Sequence, residues 1–283
     1  MLVAAGGCSA IRLGYSQAPE LLYWWLDGYA DFDDAQTRRV RDALARWFAW
    51  HRRTQLPDYA ALLARAQAEA PADTTPDKAC AWWSDLRSRA DKAFAAAVPF
   101  AAELMPTLSA EQIQHVERRF AKSNDEFRDE YLKEDPVQRR KDAVKRGVER
   151  AETLYGKLDD AQRERVAAAV AASPFDPELW LAERQRRQQD ALQVLRSVAA
   201  MNAERDRERI EAALQGWADR IEASPRPGYR RYAEQLTRYN CKVSAELHNS
   251  TTPAQRQAAV AKLKGWETDL RALAAAANGN GAN

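Results

Sequence analysis

The sequence is poor in glycine, proline and cysteine and has no long apolar run. Its 283 residues include 11 Gly, 12 Pro and 3 Cys. No apolar run reaches the roughly 18 residues that a membrane-spanning helix needs. The formal net charge is only +2, and paired basic residues such as Arg38-Arg39 are interleaved with acidic ones. Because no overall positive field attracts nucleic acid, we expect no nucleic-acid partner.

Motifs of common enzyme and metal-binding families are also missing. The chain contains no Gly-x-Ser-x-Gly nucleophile elbow, His-Glu-x-x-His zinc helix, P-loop or dinucleotide fingerprint. The three histidines, His51, His115 and His248, have no second histidine or cysteine at ligand spacing. We therefore expect no metal, no cofactor and no enzyme activity. A hydrolase without a recognisable motif remains as an alternative.

The chain does contain abundant helical patterning. Hydrophobic residues make up 46% of it, and apolar side chains recur at three- and four-residue steps between the prolines. Since no segment alternates apolar and polar residues as a strand does, we predict an all-α, multi-helix bundle of about nine helices without a sheet. The first helix is placed at 19–29, and Pro57 is expected to separate 34–53 from 57–70. The pattern over 177–222 leaves open whether that helix is continuous.

The N-terminal segment ends in small residues and a cysteine, Ala5-Gly6-Gly7-Cys8. It resembles the lipobox of bacterial lipoproteins, which implies a diacylglycerol on the Cys8 thiol and removal of the preceding peptide. A secretory signal carries a basic region and roughly 7–15 apolar residues. Residues 1–7 contain no Lys or Arg and are too short, so we interpret them as a remnant of such a signal. By the same resemblance, Ser9 favours the outer membrane. The alternative for Cys8 is a buried or idle thiol.

Segments along much of the chain resemble one family. They are Cys8–Tyr15, Ala18–Asp27, His115–Phe120 and Leu247–Arg256, and they are similar to an uncharacterised family of Gram-negative lipoproteins. The resemblance implies a lipid anchor at Cys8 and a helical fold, and it implies no catalytic residue. We expect a single helical lipoprotein domain over 8–277 and a disordered tail over 278–283.

Without Cys8, the remaining cysteines form an even pair, Cys80 and Cys241. The periplasm is oxidising, so a disulfide between them would persist there. Two separate buried thiols are the alternative.

Four helices are predicted to begin with the same box, in which a capping residue is followed three positions later by glutamine. This is the capping-box arrangement, and its simplest interpretation is four well-formed helix starts. The pattern Leu-Ser/Thr-x-x-Gln also resembles the motif of periplasmic stress chaperones of the Spy and CpxP type, which hold unfolded proteins without ATP. The boxes are Asp33 with Gln36, Ser109 with Gln112, Asp159 with Gln162, and Thr252 with Gln255.

A concentration of aromatic and acidic residues near the N-terminus forms a candidate interaction patch, Trp24, Trp25, Asp27 and Asp31. Tryptophan suits membrane interfaces, and the patch lies close to Cys8. The alternatives are core tryptophans and a solvated helix start whose acids favour the macrodipole.

These observations predict a lipoprotein anchored in the outer membrane through Cys8 and facing the periplasm. Its expected role is structural or protein-binding, with an unknown envelope protein as partner. A chaperone-like holdase is the alternative suggested by the boxes. Oligomeric state stays open.

Overall fold

The computed structural model describes residues 10–133 and 135–279, and within them the chain is all-α with no strand. The predicted fold class is therefore confirmed. The prediction of about nine helices is too low, because the described residues form ten long helices and the short α4. They are α1 Ala10–Ala30, α2 Asp34–Glu69, α3 Pro76–Ala95, α4 Val98–Leu104, α5 Ala110–Arg128, α6 Pro136–Tyr155, α7 Asp160–Ala171, α8 Pro177–Ala199, α9 Arg207–Glu222, α10 Pro227–Asn249 and α11 Pro253–Gly279.

Two short helical turns complete the architecture, a 3-10 turn at Met105–Thr107 and a π turn at Asp129–Lys133. Residues 1–9, which include Cys8, lie outside the described part of the chain. So do the last four residues, while α11 continues to Gly279, inside the segment 278–283 that was predicted to be disordered.

Helix α2 runs through Pro57, so the predicted division between 34–53 and 57–70 is wrong. Proline removes one backbone hydrogen bond and normally bends or ends a helix. Here the residues on either side of it are well packed, with Leu56 and Ala60 at 1% and 0% exposure. Packing of this 36-residue helix against its neighbours therefore outweighs the lost bond. Similarly, α1 begins at Ala10 and contains Pro19, so the predicted start at residue 19 is too late.

The segment 177–222 is broken between α8 and α9. The Asn202 side chain accepts hydrogen bonds from the backbone N–H groups of Glu204 and Arg205 at 3.1 and 2.9 Å, which forms a turn. The break lets α8 and α9 pack side by side, so that Val198 meets Ile210 in one buried cluster.

The beginning and the end of the chain are packed together. The most extensive interhelical interface joins α2 to α11, and Gln67 on α2 donates to Glu267 on α11 at 2.8 Å. A disulfide joins α3 to α10 through Cys80 and Cys241, with Cα atoms 5.3 Å apart. The predicted disulfide is thus present, and Cys241 is 5% exposed.

No single described helix is long and apolar enough to cross a membrane. The segments Pro76–Thr107 and Ala110–Leu132 meet that criterion of length and composition only as a pair, bent by 117°.

Candidate functional site

The four helix-start boxes form their local hydrogen bonds. In each, the capping side chain accepts the glutamine N–H, and the glutamine Oε1 accepts the N–H of the capping residue. All eight distances lie between 2.8 and 3.2 Å. Because these bonds satisfy donors that a helix start leaves unpaired, the boxes explain where α2, α5, α7 and α11 begin.

The glutamines of these boxes also bind each other in two pairs. Gln36 and Gln112 exchange amide hydrogen bonds of 3.1 and 2.6 Å, which join α2 to α5. Gln162 and Gln255 exchange two bonds of 2.8 Å, which join α7 to α11. The chain therefore contains the same crossed arrangement of helix starts twice.

Each glutamine donates its remaining amide hydrogen to the loop that precedes the helix of its partner glutamine. The acceptor is in every case the backbone carbonyl two residues before the partner helix's capping residue, at 2.8–3.0 Å. Since the side-chain oxygen and both amide hydrogens are then bonded within the fold, the boxes leave no amide group to bind another protein. The acceptors are the carbonyls of Thr107, Asp31, Ser250 and Lys157.

The segment Leu247–Arg256 connects the C-terminal helices to the loop after α2 through hydrogen bonds. Asn249 bonds twice to the backbone of Thr74, accepting its N–H at 2.8 Å and donating to its carbonyl at 2.9 Å. Arg256 donates to the carbonyl of Pro71 at 2.9 Å. This segment thus has a structural role that its local sequence did not reveal.

Two histidines are hydrogen-bonded within the fold. His248 Nε2 donates to the carbonyl of Ala72 at 2.8 Å, and its Nδ1 lies 2.9 Å from the Tyr155 hydroxyl. The Nδ1 atom of His51 lies 2.8 Å from the Tyr15 hydroxyl, and burial lowers the pKa of His51. Within the described residues, no group of three or more His, Cys, Asp or Glu side chains could hold a metal ion.

The tryptophans and the acids of the predicted N-terminal patch have different roles in the structure. Trp24 and Trp25 are 62% and 59% exposed, so their interpretation as core residues is wrong. The Asp27 carboxylate accepts the N–H of Phe32 at 3.0 Å, and Asp31 adopts a positive φ of 49° in the same turn. The two acids therefore shape the link from α1 to α2, whereas the two tryptophans remain on the surface.

Sequence reasoning missed an aromatic cleft with a volume of about 290 Å³. Its aromatic lining comes from five helices, α1, α5, α8, α9 and α10, in chain order, so no sequence spacing pointed to it. A cavity of this size and lining accommodates a flat apolar group. The aromatic residues that define the cleft are Tyr29, Phe120, Trp180, Trp217 and Tyr229.

The buried carboxylate of the aromatic cleft, that of Glu183, is bound by arginines. Glu183, 1% exposed, accepts from Arg186 and Arg187 at 3.1 Å each, and Arg226 lies 3.6 Å away. Burial raises the pKa of Glu183, but hydrogen bonds from Arg186, Ser224 and Arg187 outweigh it and the pKa lies below its ordinary value. An ionised, arginine-bound carboxylate is a poor general acid, and the residues described as lining the cleft include no histidine, cysteine or serine. The arrangement is suited to binding.

A family model with the description "Family of unknown function (DUF6279)" matches residues 28–220, which is more than half of the chain. The protein belongs to the DUF6279 family. No curated protein and no solved structure matches the chain. The matched segment contains four of the five aromatic residues of the cleft, while Tyr229 and the disulfide partner Cys241 follow it in this DUF6279 protein.

Proposed function

We propose that this DUF6279 protein is a lipoprotein anchored in the outer membrane, facing the periplasm, where it binds another envelope protein. The distribution of cysteines carries the proposal. Two of the three cysteines are joined, Cys80 to Cys241, and a stable disulfide is typical of an oxidising compartment. The third, Cys8, follows the small residues that resemble a lipobox.

Incorporation of labelled palmitate in cells tests the anchor. With the full upstream reading frame, we expect label on the wild type and on a Cys80→Ala/Cys241→Ala control, and none on Cys8→Ala. The double substitution removes the disulfide and keeps Cys8, so it separates acylation from folding. Equal label on Cys8→Ala, or none on the wild type, would contradict the proposal.

The protein-binding role is supported by apolar side chains beside the aromatic cleft. Phe175, Leu179 and Trp180 are 38%, 41% and 38% exposed, and the rings of Phe175 and Trp180 lie 6.3 Å apart. Clustered exposed apolar residues mark interaction sites on soluble surfaces, and aromatic residues are enriched in interface cores. The partner that fits is an envelope protein with a projecting aromatic or aliphatic side chain.

Photo-crosslinking in cells tests this surface. A photoreactive amino acid at Leu179 should capture one or two reproducible partners, and the same group at Glu164, an exposed position on α7, should not capture them. Crosslinks from Leu179 to many unrelated proteins, or the same products from Leu179 and Glu164, would count against a specific partner.

A further inference from the structure

Helix α1 exposes an unusually apolar face. Four large side chains on it, Leu13, Leu21, Trp24 and Trp25, are between 58% and 63% exposed. On a helix of 3.6 residues per turn they fall within an arc of about 120° and span about 18 Å along the axis. Tyr23, on the other side of the helix, is 6% exposed and faces the core. We call these four residues the α1 apolar face.

The α1 apolar face is uncharged along its length. The other exposed residues within its arc are Gly14 and Gln17, with Ala10 in the preceding turn and Gly28 in the following one. The nearest acid, Glu20, lies at the margin and forms an ion pair with Arg41 on α2. A protein surface of this size without a charged side chain is poorly suited to water, and it is equally poorly suited to a charged partner.

We propose that the α1 apolar face lies in the headgroup region of the bilayer, with Trp24 and Trp25 inserted at its edge. The inference rests on the proposed function, since the acyl anchor on Cys8 provides the membrane. Helix α1 begins at Ala10, so even an extended link places its start within about 7 Å of Cys8. Amphipathic helices lie in this plane with their apolar side buried about 5–10 Å, and tryptophan is enriched there.

The position of Cys8 allows a test that does not depend on acylation in cells. Because Cys80 and Cys241 are bonded, Cys8 is the one thiol left of three, and it can be coupled to a maleimide lipid. The full chain is attached in this way to vesicles of brominated phosphatidylcholine, and its tryptophan emission is compared with that on unbrominated vesicles. The variants are Trp24→Phe/Trp25→Phe and, as a matched control, Trp83→Phe, which replaces a 52% exposed tryptophan on α3.

We expect brominated lipid to quench the wild type and Trp83→Phe, and the double variant to lose most of this quenching. Phenylalanine preserves ring packing, and far-UV circular dichroism checks that all three proteins are folded. Quenching of the double variant equal to that of the wild type, or no quenching of the wild type, would overturn the inference; the latter is also the result if a second protein copy covers the face. A missing palmitate label would instead refute the anchor, so the two failures are distinguishable.

Discussion

Replacing Gln162 with alanine should destabilise the protein far more than its position in a first helical turn suggests. The side chain is 2% exposed and takes part in four hydrogen bonds. It accepts from the Asp159 N–H at 3.0 Å and from Gln255 at 2.8 Å, and it donates to the Ser250 carbonyl at 3.0 Å and to Gln255 at 2.8 Å.

The magnitude follows from these contacts. Each hydrogen bond contributes about 1 kcal/mol net, while freeing the glutamine side chain returns about 1.5 kcal/mol of rotamer entropy. Because Gln255 and the Ser250 carbonyl lose partners in a buried site, we expect the free energy of unfolding to fall by about 3 kcal/mol. In a double-mutant cycle with Gln255→Ala, the two mutual bonds should appear as a coupling energy of about 1–2 kcal/mol.

Urea unfolding followed by far-UV circular dichroism, with the disulfide intact, measures this. The matched control is Gln138→Ala, which changes the glutamine at the same position of α6. Its side chain is exposed and bonds to Asp142 at 3.1 Å, so we expect a loss below about 0.5 kcal/mol. If Gln162→Ala and Gln138→Ala lowered the free energy of unfolding equally, the reasoning about the glutamine pairs would be refuted.

Three further predictions concern the disulfide and two buried titratable groups. In the unacylated native protein, thiol labelling should modify Cys8 alone, and labelling of Cys80 or Cys241 would contradict the disulfide. The bond between these two cysteines spans 161 positions, so on the chain-entropy model its reduction should lower the free energy of unfolding by up to about 5 kcal/mol. Hydrogen bonds, first from Gln67 and then from Arg271 and Lys264, lower the pKa of Glu267 to about 2, so its stabilisation is present above its unfolded pKa of 4.5 and is lost as pH falls towards 2. Glu267→Gln should therefore lower the urea midpoint at neutral pH and match the wild type near the folded pKa; a pH-independent difference would exclude this linkage. Burial lowers the pKa of His51 from 6.5, so the free energy of unfolding should decline as pH falls below 6.5. His51→Phe should flatten that decline in the same urea assay. An unchanged dependence of the free energy of unfolding on pH would argue against this role of His51.

The parts of the fold that depend on neighbouring residues could be predicted from the sequence. The all-α class follows from the apolar period, and the start of α7 follows from Asp159 and Gln162, which are three residues apart. The contact from Gln162 to Gln255 crosses 93 positions, and nothing in either box specifies which other box it meets. The disulfide was predictable only by elimination, because three cysteines with one assigned elsewhere leave a single pair.

Helix α1 shows why exposure was harder to predict. It carries aromatic residues on both sides, so periodicity alone could not decide whether Tyr23 or Trp24 faces the core. The structure buries Tyr23, whose hydroxyl lies 3.1 Å from that of Thr37, and leaves Trp24 exposed. For α2, the prediction was wrong because it treated Pro57 as a helix end. Packing of the turns on either side of Pro57 is a tertiary effect, which a rule based on local sequence omits.

The pairing of α2 with α11 has a consequence for how the chain acquires its structure. During synthesis α2 is made early, whereas α11, which packs against it, follows only after α3 to α10. Contacts so distant in sequence form slowly, and until α11 is made α2 lacks its most extensive interhelical interface. The long α2 therefore completes its packing late, once α11 is available.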